Sequence, residues 1–509
     1  MLRSIMTVGF WTLLSRVLGM VREILLFALI GAGPVLDAFV AAFRLPNMFR
    51  RFFAEGAFNA AFVPMLSKRL ADDRDAVGFA NQAMGGLAFV VMILTAVAMI
   101  FMPVLVWITA SGFAGDTRFD MTVDYGRVMF PYILFISSAA LLSGALNAKG
   151  HFAVAAAAPV FLNILVIAAL GLSWIMDGRH ISYLIWSIPV AGVVQLAMVW
   201  VACHKAGLPI TLSRPRLSPD MKQLIRIAVP AALANGVVQI NLLVGQLVSS
   251  QYTGAVSWLY GADRLYQLPL GVVGIAVGLV LLPELSKRLQ THDDAGAKDA
   301  FNRGTEIALA LTLPAAVALF VIPVPLASML YEYGATGRDD VLAIGLATAI
   351  YGLGLPAFIL QKLLQPLFFA REDTKTPFRF AVWSMIINAA LALGLMPWLG
   401  WISAAVATTL SSWVMVALLA GSARKFGDVA RISPTVKSRV LRMCIASGIM
   451  GATLWCVAMV VMDYAADAPG RIALALGLIA LGIVVYGIAG RSLGAFDVQD
   501  LKSSLRRSR

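Results

Sequence analysis

Apolar runs of 18 or more residues recur along the chain, separated by short segments that carry charge, glycine or proline. A helix crossing a hydrocarbon core of about 30 Å needs about 20 such residues, so the pattern predicts about fourteen crossings. The expected spans fall at about 8–30, 36–66, 81–110, 122–147, 154–176, 183–204, 224–250, 256–285, 303–329, 341–369, 377–397, 402–423, 440–462 and 471–490. No connection is long enough for a soluble domain, and the chain reads as an all-α polytopic membrane protein.

A repeat refines this picture. FVPMLSKRLADD at 62–73 is echoed by LLPELSKRLQTHDD at 281–294, each ending a span that contains an earlier Leu-Pro. The offset of roughly 220 residues holds six spans, an even number, so the two copies share one orientation. The expected division is an N-lobe at 1–212 (spans 1–6), a C-lobe at 213–430 (spans 7–12), and two further helices with a basic tail at 431–509. Two pseudo-symmetric six-helix lobes around a central cavity would follow. The 204–222 connection, with Pro209, Pro215 and Pro219, is the expected hinge, and Pro46 in Leu45-Pro46-Asn47 predicts a break in span 2.

The chain has 509 residues, 60% of them hydrophobic, and a net charge of +13. Its distribution argues against nucleic acid, because assigning alternate loops to opposite sides puts roughly 28 Lys/Arg on one side and about 4 on the other. The basic side is then cytoplasmic and holds both termini. Arg16 and Arg22 interrupt the first apolar stretch, which reads as a retained span rather than a signal peptide. Cys203, Cys444 and Cys456 are isolated and only four His occur, so buried free thiols are expected and neither a metal site nor a cofactor.

Charge inside the spans carries the functional signal. Spans 1 and 2 hold Arg16, Arg22, Glu23, Asp37, Arg44, Arg50, Arg51 and Glu55, and the second half adds Asp263, Arg264 and Lys362. Each intramembrane Arg costs about 2.5–3.5 kcal/mol on insertion scales, so such groups should face water, ligand or one another. Spacing offers pairs: Arg51 with Glu55, Asp37 with Arg44, adjacent Asp263 and Arg264, and near the outer interface Asp124 with Arg127. An excess of about two cations remains after generous pairing. The guanidinium fork suits phosphate oxygens, which points to an anionic substrate carrying phosphate or diphosphate. No P-loop, HExxH, GxSxG or Cys/His cluster is present, and GLGLP at 352–356 lies within an apolar span, so an enzyme is not expected.

SRVLGMVRE, DAFVAAFRLPNMFRRFFAEGAFNAAFVPMLS, YGADRLYQLPLGVVGIAVGLVLLPELS and FFAREDTKTP together resemble the MurJ (MviN) lipid II flippase family of the multidrug/oligosaccharidyl-lipid/polysaccharide exporter superfamily. The resemblance implies two six-helix lobes around a cationic cavity and two C-terminal helices forming a groove for a lipid tail. It implies movement of undecaprenyl-diphosphate-linked disaccharide pentapeptide to the outer leaflet of a bacterial inner membrane, with lipid II and membrane lipids as partners and transient contacts with cell-wall synthesis enzymes. The family's substrate-binding cations match Arg16, Arg22, Arg50, Arg264 and Lys362, with Asp37 as its acidic residue. Glu23 stands where many members have Asp, and Asn235, Asn241 and Asn388 occupy spans in which some members place sodium-binding carboxylates. Alternatives are a flippase for another polyprenyl-diphosphate glycan, a cation-coupled multidrug exporter and a membrane scaffold.

Overall fold

The computed structural model describes residues 2–51, 57–72, 75–176, 180–461 and 467–495. The expected spans become helices, three of them split in two where a proline starts a new helix: Pro103, Pro131 and Pro323. Proline lacks an amide hydrogen and so fits a first turn, where that donor has no partner anyway. Among the described residues nine helical stretches are long and apolar enough to cross a membrane. Large side chains such as Trp107, Trp174 and Trp398 are exposed, as lipid contact requires.

The chain packs as two compact units, one running to Ser257 with Gly334–Thr336 added, the other holding Trp258–Tyr333 and the chain from Gly337 onward. The first contains α1 (Leu2–Ile30), α2 (Pro34–Arg50), α3 (Ala57–Ala71), α4 (Ala76–Ile100), α5 (Met102–Thr109), α6 (Thr117–Met129), α7 (Tyr132–Ala148), α8 (Phe152–Met176), α9 (His180–Lys205) and α10 (Pro219–Ser249). Its core gathers Phe62, Phe79, Phe130 and Leu141, and Met221 and Leu224 at the start of α10 join it. The packing boundary therefore lies beyond the repeat boundary expected at 212, because the first turns of α10 are buried against the first unit.

Three local expectations are corrected. Helix α2 continues through Pro46 and ends at Arg50. The proline removes one ladder hydrogen bond, while Ala42, Leu45 and Pro46 are buried and hold the preceding turn in place. Arg127 does not pair with Asp124; its Nε donates to the Met99 carbonyl at 3.3 Å. That carbonyl would ordinarily accept from position 103, where proline has no N–H to give. Cys203 is buried as expected, but Cys444 and Cys456 are exposed.

The second unit contains α11 (Ala255–Gln290), whose first turn belongs to the first unit, then α12 (Asp294–Val321), α13 (Pro323–Tyr331), α14 (Arg338–Phe369), α15 (Lys375–Leu399), α16 (Ser403–Ala423), α17 (Pro434–Val461) and α18 (Ala468–Ser492). The sequence repeat survives as one device built twice. After α3, Asp75 accepts from the Gly78 amide at 2.7 Å and starts α4; after α11, Asp293 accepts from the Gly296 amide at 2.8 Å and starts α12. A Cβ at Gly78 or Gly296 would collide with the capping carboxylate, which explains glycine at both.

Helices α17 and α18, outside the repeat, attach to α12 along residues 302, 306 and 310, a stripe of i, i+4 spacing. Asn302 accepts from the Ser433 amide at 2.8 Å, Glu306 pairs with Arg439 at 2.7 Å, and the Tyr486 hydroxyl donates to the Ala310 carbonyl at 2.9 Å. Pro314 leaves that carbonyl without its usual donor. Tyr486→Phe should therefore destabilise the protein by about 1–3 kcal/mol, read as a lower unfolding temperature in detergent.

The turn between α14 and α15 is held by Asp373, which accepts from the Thr376 amide at 3.0 Å and from Lys425 Nζ at 3.1 Å. The Thr376 amide first, then the Lys425 ammonium, hold its carboxyl below the usual carboxylate range against the opposing effect of burial. A depressed folded pKa stabilises above the unfolded value of about 4 and the stabilisation is lost as pH falls through the folded value. Asp373→Asn should thus be less stable than wild type at pH 7, by up to about 1 kcal/mol, with the gap closing in acid.

Candidate functional site

On α1, Arg22 is held from two sides. Its Nη1 donates to Asn163 Oδ1 of α8 at 2.9 Å, and its Nη2 lies 2.5 Å from Glu23 Oε1. Asn163 is anchored in turn, donating to the Ser15 carbonyl at 2.9 Å. The Arg22 side chain keeps 15% of its exposure while Glu23 keeps 4%, so the guanidinium is oriented and part-exposed beside a buried carboxylate. Arg16, six residues earlier on the same helix, is exposed.

Helix α2 distributes its charges differently from the expectation. Asp37 does not pair with Arg44. Fully buried, it accepts from the Gly254 amide at 2.6 Å and from the Ser257 amide and hydroxyl at 2.8 and 2.6 Å, so it acts as a borrowed N-cap for α11. Arg118 Nη1 lies 3.6 Å from it, and Arg118 Nε lies 2.6 Å from Asp116. Arg118 is 4% exposed and stacks over Phe113 at 4.5 Å. Arg44 donates to the Leu242 carbonyl at 3.4 Å, Arg50 to Asn47 at 3.2 Å, and Arg51 to Gln239 at 3.5 Å. Glu55 lies outside the described residues.

Beside Asp37, the α1 end is tied to the 334–336 connection. The Ala335 amide donates to the Ala28 carbonyl at 2.8 Å and the Thr336 hydroxyl to the Phe27 carbonyl at 2.6 Å. A Cβ on Gly334 would fall 2.2 Å from the Ala28 oxygen, so only glycine allows this approach.

In the second unit, Asp263 and Arg264 are linked through Gln267. Its amide nitrogen donates to Asp263, and Arg264 donates to its oxygen at 3.4 Å. Arg264 also lies 4.7 Å over the Tyr260 ring. Lys362 of α14 is exposed and extends along α11, where a Cβ on Gly274 would fall 2.7 Å from its Nζ. Ten residues separate Arg264 and Gly274, about 15 Å along the helix, so the two cations are spaced rather than clustered.

Sequence spacing missed Asn163, Gln239, Gln267 and Arg118, the neutral or distant partners that position these groups. Of the expected set, Arg16, Arg22, Arg50, Arg51, Arg264 and Lys362 face four carboxylates. Asp37 is committed to α11 and Arg118, which leaves Glu23, Glu55 and Asp263.

The profile of the family described as "Lipid II flippase MurJ" matches residues 26–468. The chain belongs to the lipid II flippase MurJ family. It is 43% identical to the "Probable lipid II flippase MurJ" of Rhizobium meliloti (strain 1021), with 100% of this chain and 96% of that protein covered. The "Lipid II flippase MurJ" of Burkholderia cenocepacia is 37% identical over 76% of each chain. A solved structure titled "Lipid II flippase MurJ, inward closed conformation" superposes with a TM-score of 0.80 at 24% identity, covering 95% of this chain and 97% of that one. A MATE family transporter of the MOP superfamily, inward-facing, gives 0.67 at 15% identity, covering 82% and 96%. The MurJ fold and its spans make this a multi-pass membrane protein.

Proposed function

We propose that this member of the MurJ family moves lipid II, the undecaprenyl-diphosphate-linked peptidoglycan precursor, from the inner to the outer leaflet of the bacterial plasma membrane. The observation that carries the reading is the oriented, part-exposed Arg22, held by Asn163 and Glu23 within an otherwise apolar helix. Its fork can take two diphosphate oxygens, with Arg16, Arg50, Arg264 and Lys362 as further cationic contacts. The cations would be exposed to the two sides alternately while the lipid tail remains in hydrocarbon, and no bond is made or broken. The basic loops and both termini lie in the cytoplasm in this reading, and the repeat halves at 1–212 and 213–430 supply the transport lobes. An inside-negative potential assists export of the anion by about 2.3 kcal/mol per charge per 100 mV. Transient contacts with the enzymes that use lipid II at the outer leaflet complete the reading.

Purified protein in vesicles carrying lipid II on one leaflet provides the test. Transfer to the opposite leaflet should exceed that in protein-free vesicles and should accelerate under a potential of the physiological sign. Transfer equal to that in protein-free vesicles would refute the function.

A further inference from the structure

The 206–218 segment between α9 and α10 is strapped to the first unit rather than free. The Thr211 amide donates to Asn81 Oδ1 at 2.7 Å, the Ser213 hydroxyl to the Asn81 carbonyl at 2.8 Å, and Ser218 to Gln82 at 2.8 Å. Trp200 donates from its indole to the Ile210 carbonyl at 3.0 Å. A Cβ on Gly85 would fall 2.0 Å from the Ser213 oxygen, so backbone lies directly on backbone. The same strap holds Leu212 and Leu217 outward, 74% and 70% exposed. Held this firmly, it cannot fold its leucines back into the core.

Depth and charge identify what covers them. Asn81 and Gln82 are the last strongly polar residues of α4 before the apolar run that starts at Ala83, so their level marks the edge of the hydrocarbon on the strap's side. The strap lies at that edge, beside the part-exposed Trp200, a residue type favoured at headgroup level. From Lys205 to Arg226 the chain carries five cations and one carboxylate, Asp220, which pairs with Arg69 at 2.6 Å. Leucines interleaved with uncompensated Arg214 and Arg216 match an anionic lipid surface, where apolar groups seat at the acyl boundary and cations meet phosphates.

We propose that this strap, with the first turns of α10, is a docking element for anionic phospholipid headgroups of the adjacent leaflet, separate from the transport site. It would fix the basic edge of the first unit in the membrane surface.

A probe placed at the strap tests this in the full chain. Leu217→Cys, in a Cys203→Ala, Cys444→Ala, Cys456→Ala background, is labelled with an environment-sensitive fluorophore in nanodiscs of phosphatidylcholine with or without phosphatidylglycerol. Brominated acyl chains should quench the label, about twofold more strongly with phosphatidylglycerol, and Arg214→Glu with Arg216→Glu should remove that dependence. Leu212→Cys gives a second reporter, and amide exchange of 211–217 in the unaltered chain should slow in phosphatidylglycerol. A label exposed to water in both lipids would overturn the proposal, because the strap would then face solvent or a protein. Quenching indifferent to both lipid charge and the arginines would overturn it equally, leaving apolar contact without headgroup recognition.

Discussion

Arg22→Ala is expected to slow lipid II translocation in vesicles about 10- to 100-fold, the range for losing one or two charge-assisted hydrogen bonds to phosphate at about 1.5–3 kcal/mol. The variant should also lose stability, because Glu23 stays buried after its guanidinium neighbour has gone. Arg22→Ala combined with Glu23→Gln separates the two effects. Neutralising the carboxyl should restore much of the unfolding temperature and none of the transport. Arg22→Lys keeps the charge that Glu23 needs but replaces the planar fork with a point charge, so it should be stable and still slow. Recovery of transport in the stabilised double variant would show that Arg22 acts only as a helix-packing group.

A second large effect is expected at Asp37. Its carboxylate receives three hydrogen bonds from Gly254 and Ser257 and the charge of Arg118, all in buried surroundings. Asp37→Ala leaves the α11 N-terminus without its cap and Arg118 with Asp116 as its remaining carboxylate partner, a loss of about 3–5 kcal/mol on the scale of broken buried pairs. Adding Arg118→Leu should recover part of the loss by removing the buried charge that Asp37 had matched, whereas two independent sites would show simple additivity. Thermal unfolding of the four forms in one detergent decides between these outcomes. A single-variant loss under about 1 kcal/mol would contradict a capping role.

These two sites also show what could be read from the chain and what could not. Apolar runs located the helices because hydrocarbon demands continuous helical backbone, and the SKRL repeat pointed to two related halves, while the capped turns that follow each copy emerged only from the structure. Within one helix, i,i+4 spacing is visible, and this is where the expected pairings came from. It failed where tertiary packing supplied a nearer partner. Asp37 found Ser257 at a separation of 220 residues, Arg22 found Asn163 at 141, and Arg51 found Gln239 at 188. Neutral amides carry no charge signal, so Asn163, Gln239 and Gln267 were invisible as positioning groups. Arg127 turned to Met99 because Pro103 left a carbonyl in need, a cause that is legible only once helices α4 and α6 are known to touch. Pro46 marked a weakened rung rather than a broken helix, since the burial of Pro46 and the residues before it outweighs one missing hydrogen bond.

The central claim is that the cations within these helices recognise a diphosphate. The most direct measurement compares binding of undecaprenyl diphosphate with that of undecaprenol, which shares the tail and lacks the charge, to wild-type protein and to the Arg22→Ala, Arg264→Ala double variant. The account predicts that the diphosphate binds wild type at least about tenfold more tightly and that the double variant loses this preference while keeping its affinity for the alcohol. Equal affinity of wild type for both lipids, or a preference that survives the double substitution, would contradict it.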